Sequence, residues 1–109
     1  MEATHLNNSD FEAQIIKQRL KLYFTPYIKA RYEILVVNDI FAHSYNFFFN
    51  IYRPLKLPHS IPLRRITFYR LEFLENVIAN IRTEYKFSFV FRNFGKQRWP
   101  SNFTLISKQ

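Results

Sequence analysis

The spacing of apolar side chains changes several times along the chain, and each change marks an element. Phe11, Ile15, Ile16, Leu20 and Tyr23 recur three and four positions apart, with Gln14, Lys17, Gln18 and Lys21 mostly between them. That spacing gathers the apolar residues into one stripe of a helix. Ser9, Asp10, Phe11 and Glu12 have the form of a capping box, in which the Ser hydroxyl accepts from the backbone three residues on and the Glu reaches back to the cap. Thr25 precedes Pro26, and a residue before proline is pushed out of the helical region. The pattern predicts a helix over 9–24, preceded by a flexible N-terminus over 1–8.

From Ala30 onward β-branched and aromatic residues take over. RYEILVVN, residues 31–38, is apolar on both faces at its centre, as an interior strand is, and Asn38 and Asp39 offer a turn. In residues 43–53, HSYNFFFNIYR, the alternation sets Tyr45, Phe47, Phe49 and Ile51 on one face against Asn46, Phe48, Asn50 and Tyr52 on the other. Pro54, Pro58 and Pro62 then bracket a connector that fits neither a helix nor a central strand. LRRITF, residues 63–68, reads as a third strand in which the adjacent Arg64 and Arg65 point to opposite sides. Leu71, Leu74, Ile78, Ile81 and Tyr85, widened by Phe73 and Val77, restore the helical period and predict a second helix over 69–83. KFSFVFR returns to a period of two, with Phe87, Phe89 and Phe91 on one side of a strand as core residues. Asn93 and Gly95 tolerate positive φ and predict a tight turn, after which residues 103–107 supply a last strand to pair with the Phe-rich one. The order α-β-β-(β)-α-β-β predicts a single α+β domain over 9–109: an antiparallel sheet of four or five strands with two helices packed on one face.

Composition adds the sign of the partner. Sixteen Lys and Arg against eight Asp and Glu leave a formal charge of +8, which attracts polyanions or acidic proteins. The excess is steepest at the C-terminal end, where residues 87–109 hold four cations and no acid. With no cysteine there are no disulfides, thiolate chemistry or Cys-based zinc sites. The N-terminus has an early acid and no apolar run, and the longest apolar runs fall far short of the roughly 18 residues of a spanning helix. The expectation is a soluble, intracellular protein without a membrane span, cytoplasmic, or nuclear in a eukaryotic host.

These features point to a small basic, non-enzymatic nucleic-acid-binding protein of low sequence specificity, of a kind a virus or mobile element could encode. Arg92, Lys96 and Arg98 would meet phosphates from the hairpin, Trp99 would stack on a base, and Arg64, Arg65 and Arg70 would extend the track. Phe48, Tyr52 and Phe94 are candidate stacking or partner contacts, in a monomer or a homodimer. The partner is DNA or RNA; alternatively the chain is a protein-interaction module, an inhibitor of an acidic or nucleic-acid-handling enzyme or a subunit of a larger particle, with Phe48, Tyr52 and Trp99 as aromatic hot spots.

KFSFVF falls short of the aromatic sheet motif of RNA-recognition domains, since a glycine is missing and Arg92 stands where a ring is required. The helix, three strands, helix order resembles double-stranded-RNA-binding domains in topology alone, without their basic helix start. For catalysis, His5, His43 and His59 are too dispersed for a metal, and one glycine permits no Gly-rich phosphate loop. A metal-dependent nuclease built on Glu84 and Lys86 with Asp39 or Glu33 is the third reading. No cofactor and no metal are expected.

Overall fold

The computed structural model describes residues 8–108; the flexible N-terminus expected over 1–8 lies, save for Asn8, outside them. Helix α1 spans Ser9–Tyr23, strands β1 Arg31–Asp39, β2 Ser44–Tyr52 and β3 His59–Ile66 follow as a meander, helix α2 spans Leu71–Arg82, and β4 spans Ser88–Arg92. The architecture is α+β, as the sequence predicts.

The cap of α1 differs from the expected box. Asn8 is the N-cap, and its Oδ1 accepts from the Phe11 N–H at 3.1 Å. Glu12 is free to serve elsewhere, and it does. The helix ends where Thr25 and Pro26 demand, with Phe24 already extended.

The four strands lie in the order β3-β2-β1-β4. β1 pairs antiparallel with β2 and β2 with β3, whereas β4 lies parallel to β1, Glu33 opposite Ser88 and Val37 opposite Arg92. The sheet is therefore mixed, not antiparallel throughout. Pro62 sits inside β3, which begins earlier than the sequence suggests. A proline is tolerated there because β3 is an edge strand, and the ladder slips between Phe47 and Phe48, whose partners are Arg64 and Pro62. That slip leaves Leu63 as an extra residue, and Arg19 of α1 donates to its carbonyl.

Both helices cover one face of the sheet. Ile16 and Leu20 of α1 and Leu74, Val77, Ile78 and Ile81 of α2 join Ile34, Val36, Phe47, Phe49, Leu63, Ile66 and Phe89 in one buried cluster, with Phe87 and Phe91 packed against it. At about 1.5–3 kcal/mol for each large apolar side chain, this burial is the main stabilising term.

The segment after β4 does not return along it. Gly95 at φ 55° and Asn93 at φ 70° make the expected turn, with Gln97 N–H donating to the Phe94 carbonyl at 3.0 Å. The chain then closes a second, smaller loop over 99–104 whose backbone bonds are local: Trp99 N–H donates to the Thr104 carbonyl at 2.9 Å, Ile106 N–H to the Gln97 carbonyl at 3.1 Å, and Arg98 bridges Leu105, while Ser101 donates to Glu75 of α2. Residues 106–108 form a 3₁₀ turn, not the predicted fifth strand.

Candidate functional site

With both helices on one side, the other face of the sheet carries no covering layer among the described residues. Side-chain alternation assigns its residues: Ser60, Pro62 and Arg65 from β3; Asn46, Phe48, Asn50 and Tyr52 from β2; Arg31, Glu33, Leu35, Val37 and Asp39 from β1; Ser88, Val90 and Arg92 from β4. The registers arrange them in transverse rows. The central row, Pro62, Phe48, Leu35 and Val90, is apolar. The row beside it toward the β1–β2 turn runs Arg65, Asn46, Val37, Arg92, and so begins and ends with an exposed arginine. Three strand spacings of about 4.8 Å separate β3 from β4, so the two arginines bracket a floor about 14 Å wide.

At that end of the sheet a cleft of about 390 Å³ opens between Phe48, Asn46, Leu35, Phe41 and Arg92. Its wall is fixed from beneath. The buried Asn38 donates from Nδ2 to the Asn93 carbonyl at 3.0 Å and accepts at Oδ1 from the Tyr69 hydroxyl at 2.6 Å. The Tyr69 ring in turn stacks on His43 and Tyr45, and Tyr45 on Phe94. Burial pushes the Tyr45 hydroxyl up to about 12, with Tyr69 and Glu72 adding to it. At this end of the sheet the β1–β2 turn, the start of α2 and the Gly95 turn are thereby pinned to one another.

The acids of the uncovered face are occupied. Glu33 accepts from the Tyr52 hydroxyl at 2.8 Å and from Asn50 Nδ2 at 3.0 Å, and that bond to Glu33 is the main reason the Tyr52 hydroxyl is pushed above its ordinary value. Arg31 lies over the Tyr52 ring at 4.7 Å from its centroid, giving a locally compensated cluster at the far end. Asp39 accepts from the Ala42 N–H at 3.0 Å and so shapes the β1–β2 turn.

The sequence-derived site residues divide. Arg65 and Arg92 share the uncovered face, with Phe48 half-buried between them. Arg64 points, as adjacency requires, to the opposite side, where its Nε donates to Glu12 Oε1 at 2.6 Å and its Nη2 to Oε2 at 3.2 Å. This is a scaffold contact between β3 and α1, and the bond to Glu12 raises the arginine's pKa further. Arg70 stands at the start of α2, exposed, 3.8 Å from Glu72. Lys96 is exposed beyond the Gly95 turn, and Arg98 donates to the Phe103 carbonyl at 2.7 Å, closing the terminal loop. Trp99 and Phe94 are corrections. They are 4% and 2% exposed, and Trp99 meets Phe91 edge-on at 5.4 Å. A loop that buries its tryptophan against β4 cannot offer the ring to a base. Tyr52 is half-buried, one ring face taken by Arg31.

The residues named for a nuclease have other partners: Glu84 pairs with Lys17 at 3.5 Å, Lys86 donates to the Arg82 carbonyl at 2.8 Å, and Glu33 and Asp39 are engaged as described. Among the described residues no group of three or more His, Asp or Glu is placed to hold a metal ion, and no helix is long and apolar enough to cross a membrane. Sequence reasoning missed Asn46, Phe41 and the cleft they line. The signal for Asn46 was present in the alternation of β2, while nothing local marks Phe41, 98% exposed on the β1–β2 turn. Comparison of the chain with protein-family models, with curated proteins and with solved structures finds no match.

Proposed function

We propose that the uncovered sheet face binds single-stranded nucleic acid, without catalysis and with low sequence specificity. The observation that carries this reading is the row Arg65, Asn46, Val37, Arg92: two arginines free of any carboxylate partner among the described residues, set at opposite edges of one floor beside the ring of Phe48. Guanidinium groups neutralise phosphates while a sheet-borne ring takes a base on its face, and neither contact depends on base identity. An open sheet face suits a single strand better than a duplex, whose major groove admits a helix or ribbon. Lys96, beyond the Gly95 turn, extends the positive edge past Arg92. Arg64, Trp99 and Phe94 support the fold and take no part.

The test is fluorescence anisotropy with a labelled oligonucleotide over a range of salt. Affinity should fall with salt along a log–log line, and Arg65→Ala and Arg92→Ala should each make its slope shallower by roughly 0.7. Phe48→Ala should cost about 1–3 kcal/mol in affinity. Affinity independent of salt, or an Arg65→Glu/Arg92→Glu variant that binds like the wild type, rejects the reading. The acidic protein partner is favoured by one feature, Ile40 and Phe41 standing 54% and 98% exposed at the mouth of the cleft. A stoichiometric acidic protein retained from nuclease-treated lysate and lost on Phe41→Ser would mark that alternative.

A further inference from the structure

The end of the molecule farthest from the cleft has a surface of a different kind. Two loops meet there, the α1–β1 connection over 24–30 and the β2–β3 connection over 53–58, around a hollow lined by Pro26, Tyr27, Ile28, Arg53, Pro54 and Lys56. Three aliphatic side chains stand at their tips almost wholly in solvent: Ile28 at 87%, Leu55 at 103% and Leu57 at 91% exposure.

The backbone holds them outward. Lys29 and Leu55 both sit at φ 59°, a region that β-carbon sterics disfavour for such residues. Each loop is closed by a short turn, Ala30 N–H to the Tyr27 carbonyl at 3.3 Å and Lys56 N–H to the Arg53 carbonyl at 3.2 Å. Arg53 lies over the Tyr27 ring at 4.2 Å and clamps one loop to the other. The tips are thus presented on a braced platform.

The stretches of chain that carry them are of one sign, and Glu33, the acid at this end of the uncovered face, is taken up by Tyr52 and Asn50. No acid occurs between Glu12 and Glu33 or between Asp39 and Glu72, and Lys21, Lys29, Arg31, Arg53 and Lys56 belong to these stretches. Aliphatic tips with Arg53 and Lys56 at the hollow between them and Lys29 next in sequence do not suit a phosphate backbone, against which Ile28, Leu55 and Leu57 would stay in water without a π-face to offer. They suit the boundary of an anionic bilayer, where aliphatic side chains enter the acyl edge while Lys and Arg remain at the headgroups. From this complementarity we infer that the 24–30 and 53–58 loops dock the protein peripherally on an anionic lipid surface, by an end distinct from the Arg65–Arg92 face.

Sedimentation with phosphatidylcholine vesicles, with and without phosphatidylserine, tests it. The wild-type protein should pellet with the anionic vesicles and stay in solution with the neutral ones. Ile28→Ser/Leu55→Ser/Leu57→Ser should bind the anionic vesicles about tenfold or more weakly while keeping its circular dichroism and its oligonucleotide affinity, since none of the three side chains is buried. Lys29→Glu/Lys56→Glu should lose the vesicles as well, and Arg65→Ala/Arg92→Ala should retain them, which separates this surface from the nucleic-acid face. Equal pelleting with neutral vesicles, a triple Ser variant that pellets like the wild type, or a wild-type protein that pellets with neither overturns the inference. The last outcome would leave a protein as the occupant of these loops.

Discussion

Arg64 and Arg65 are neighbours in sequence with opposite surroundings, and replacing each by alanine separates scaffold from surface. In Arg64→Ala the Glu12 carboxylate, whose side chain is only 4% exposed beside the intact arginine, loses both of its bonds, at 2.6 and 3.2 Å. Breaking a buried pair from one side costs about 3–5 kcal/mol, because the surviving charge is still out of water. Arg64 keeps 25% of its side chain in solvent, so the lower figure applies, about 3 kcal/mol. At roughly 4 °C or more of Tm for each kcal/mol in a domain of this size, the variant should melt more than about 10 °C below the wild type by far-UV circular dichroism. Glu12→Leu/Arg64→Leu removes both charges and should recover most of the loss, as apolar replacements of buried pairs do. Arg65→Ala, on the uncovered face with no ion pair among the described residues, should stay within about 0.5 kcal/mol of the wild type. The reasoning is refuted by an Arg64→Ala melt indistinguishable from the wild type, or by an Arg65→Ala loss as large as that of Arg64→Ala.

Two more predictions concern rings. Trp99, buried between β4 and the terminal loop, should fluoresce at the blue-shifted wavelength of an apolar site, resist iodide quenching, and keep its emission when oligonucleotide is added; Trp99→Ala should cost about 3–5 kcal/mol through the cavity it leaves. A red-shifted, readily quenched emission would contradict the burial. For Tyr45, raised from 10.0 to about 12 chiefly by burial, the neutral hydroxyl is favoured in the folded state, so its contribution is complete below pH 10 and is lost as the pH rises through about 12. The loss amounts to about 2–3 kcal/mol, and urea denaturation at stepped pH should show a shallower decline for Tyr45→Phe than for the wild type. Identical declines would rule this out.

Periodicity carried most of the fold. The stripe Leu71 to Ile81 and the alternation of Phe87, Phe89 and Phe91 each fix an element and the face it buries, because these depend only on local geometry; the stripe Phe11 to Tyr23 fixes α1 as a helix, but its buried face runs through Glu12, Ala13, Ile16 and Leu20 while Phe11 and Tyr23 stay exposed. Pairing was not legible in the same way. Alternation says which side of a strand is apolar, but not which neighbour it takes, so nothing in KFSFVF distinguishes a parallel partner 55 positions back from an antiparallel one nearby. The site was legible to the same depth. Two adjacent arginines on a strand must diverge, as Arg64 and Arg65 do, yet that one meets Glu12 depends on the passage of α1 over β3. Trp99 misled because a ring among cations near a glycine has the look of a loop tip. Its depth is set by the packing of the terminal loop on Phe91 and α2, a contact without a sequence period.

The parallel seam between β1 and β4 also sets an order of assembly. The three-stranded meander closes through short connections, but its β1 flank cannot be sealed until the last strand arrives, and bringing distant segments together carries the largest loop-closure entropy in the sheet. During synthesis the nascent chain therefore displays an unpaired strand flank, with Ile34 and Val36 beside it, until Ser88–Arg92 has left the ribosome. A stop codon anywhere before Ser88 would leave that flank permanently available to other strands, and the truncated product would be expected in aggregates.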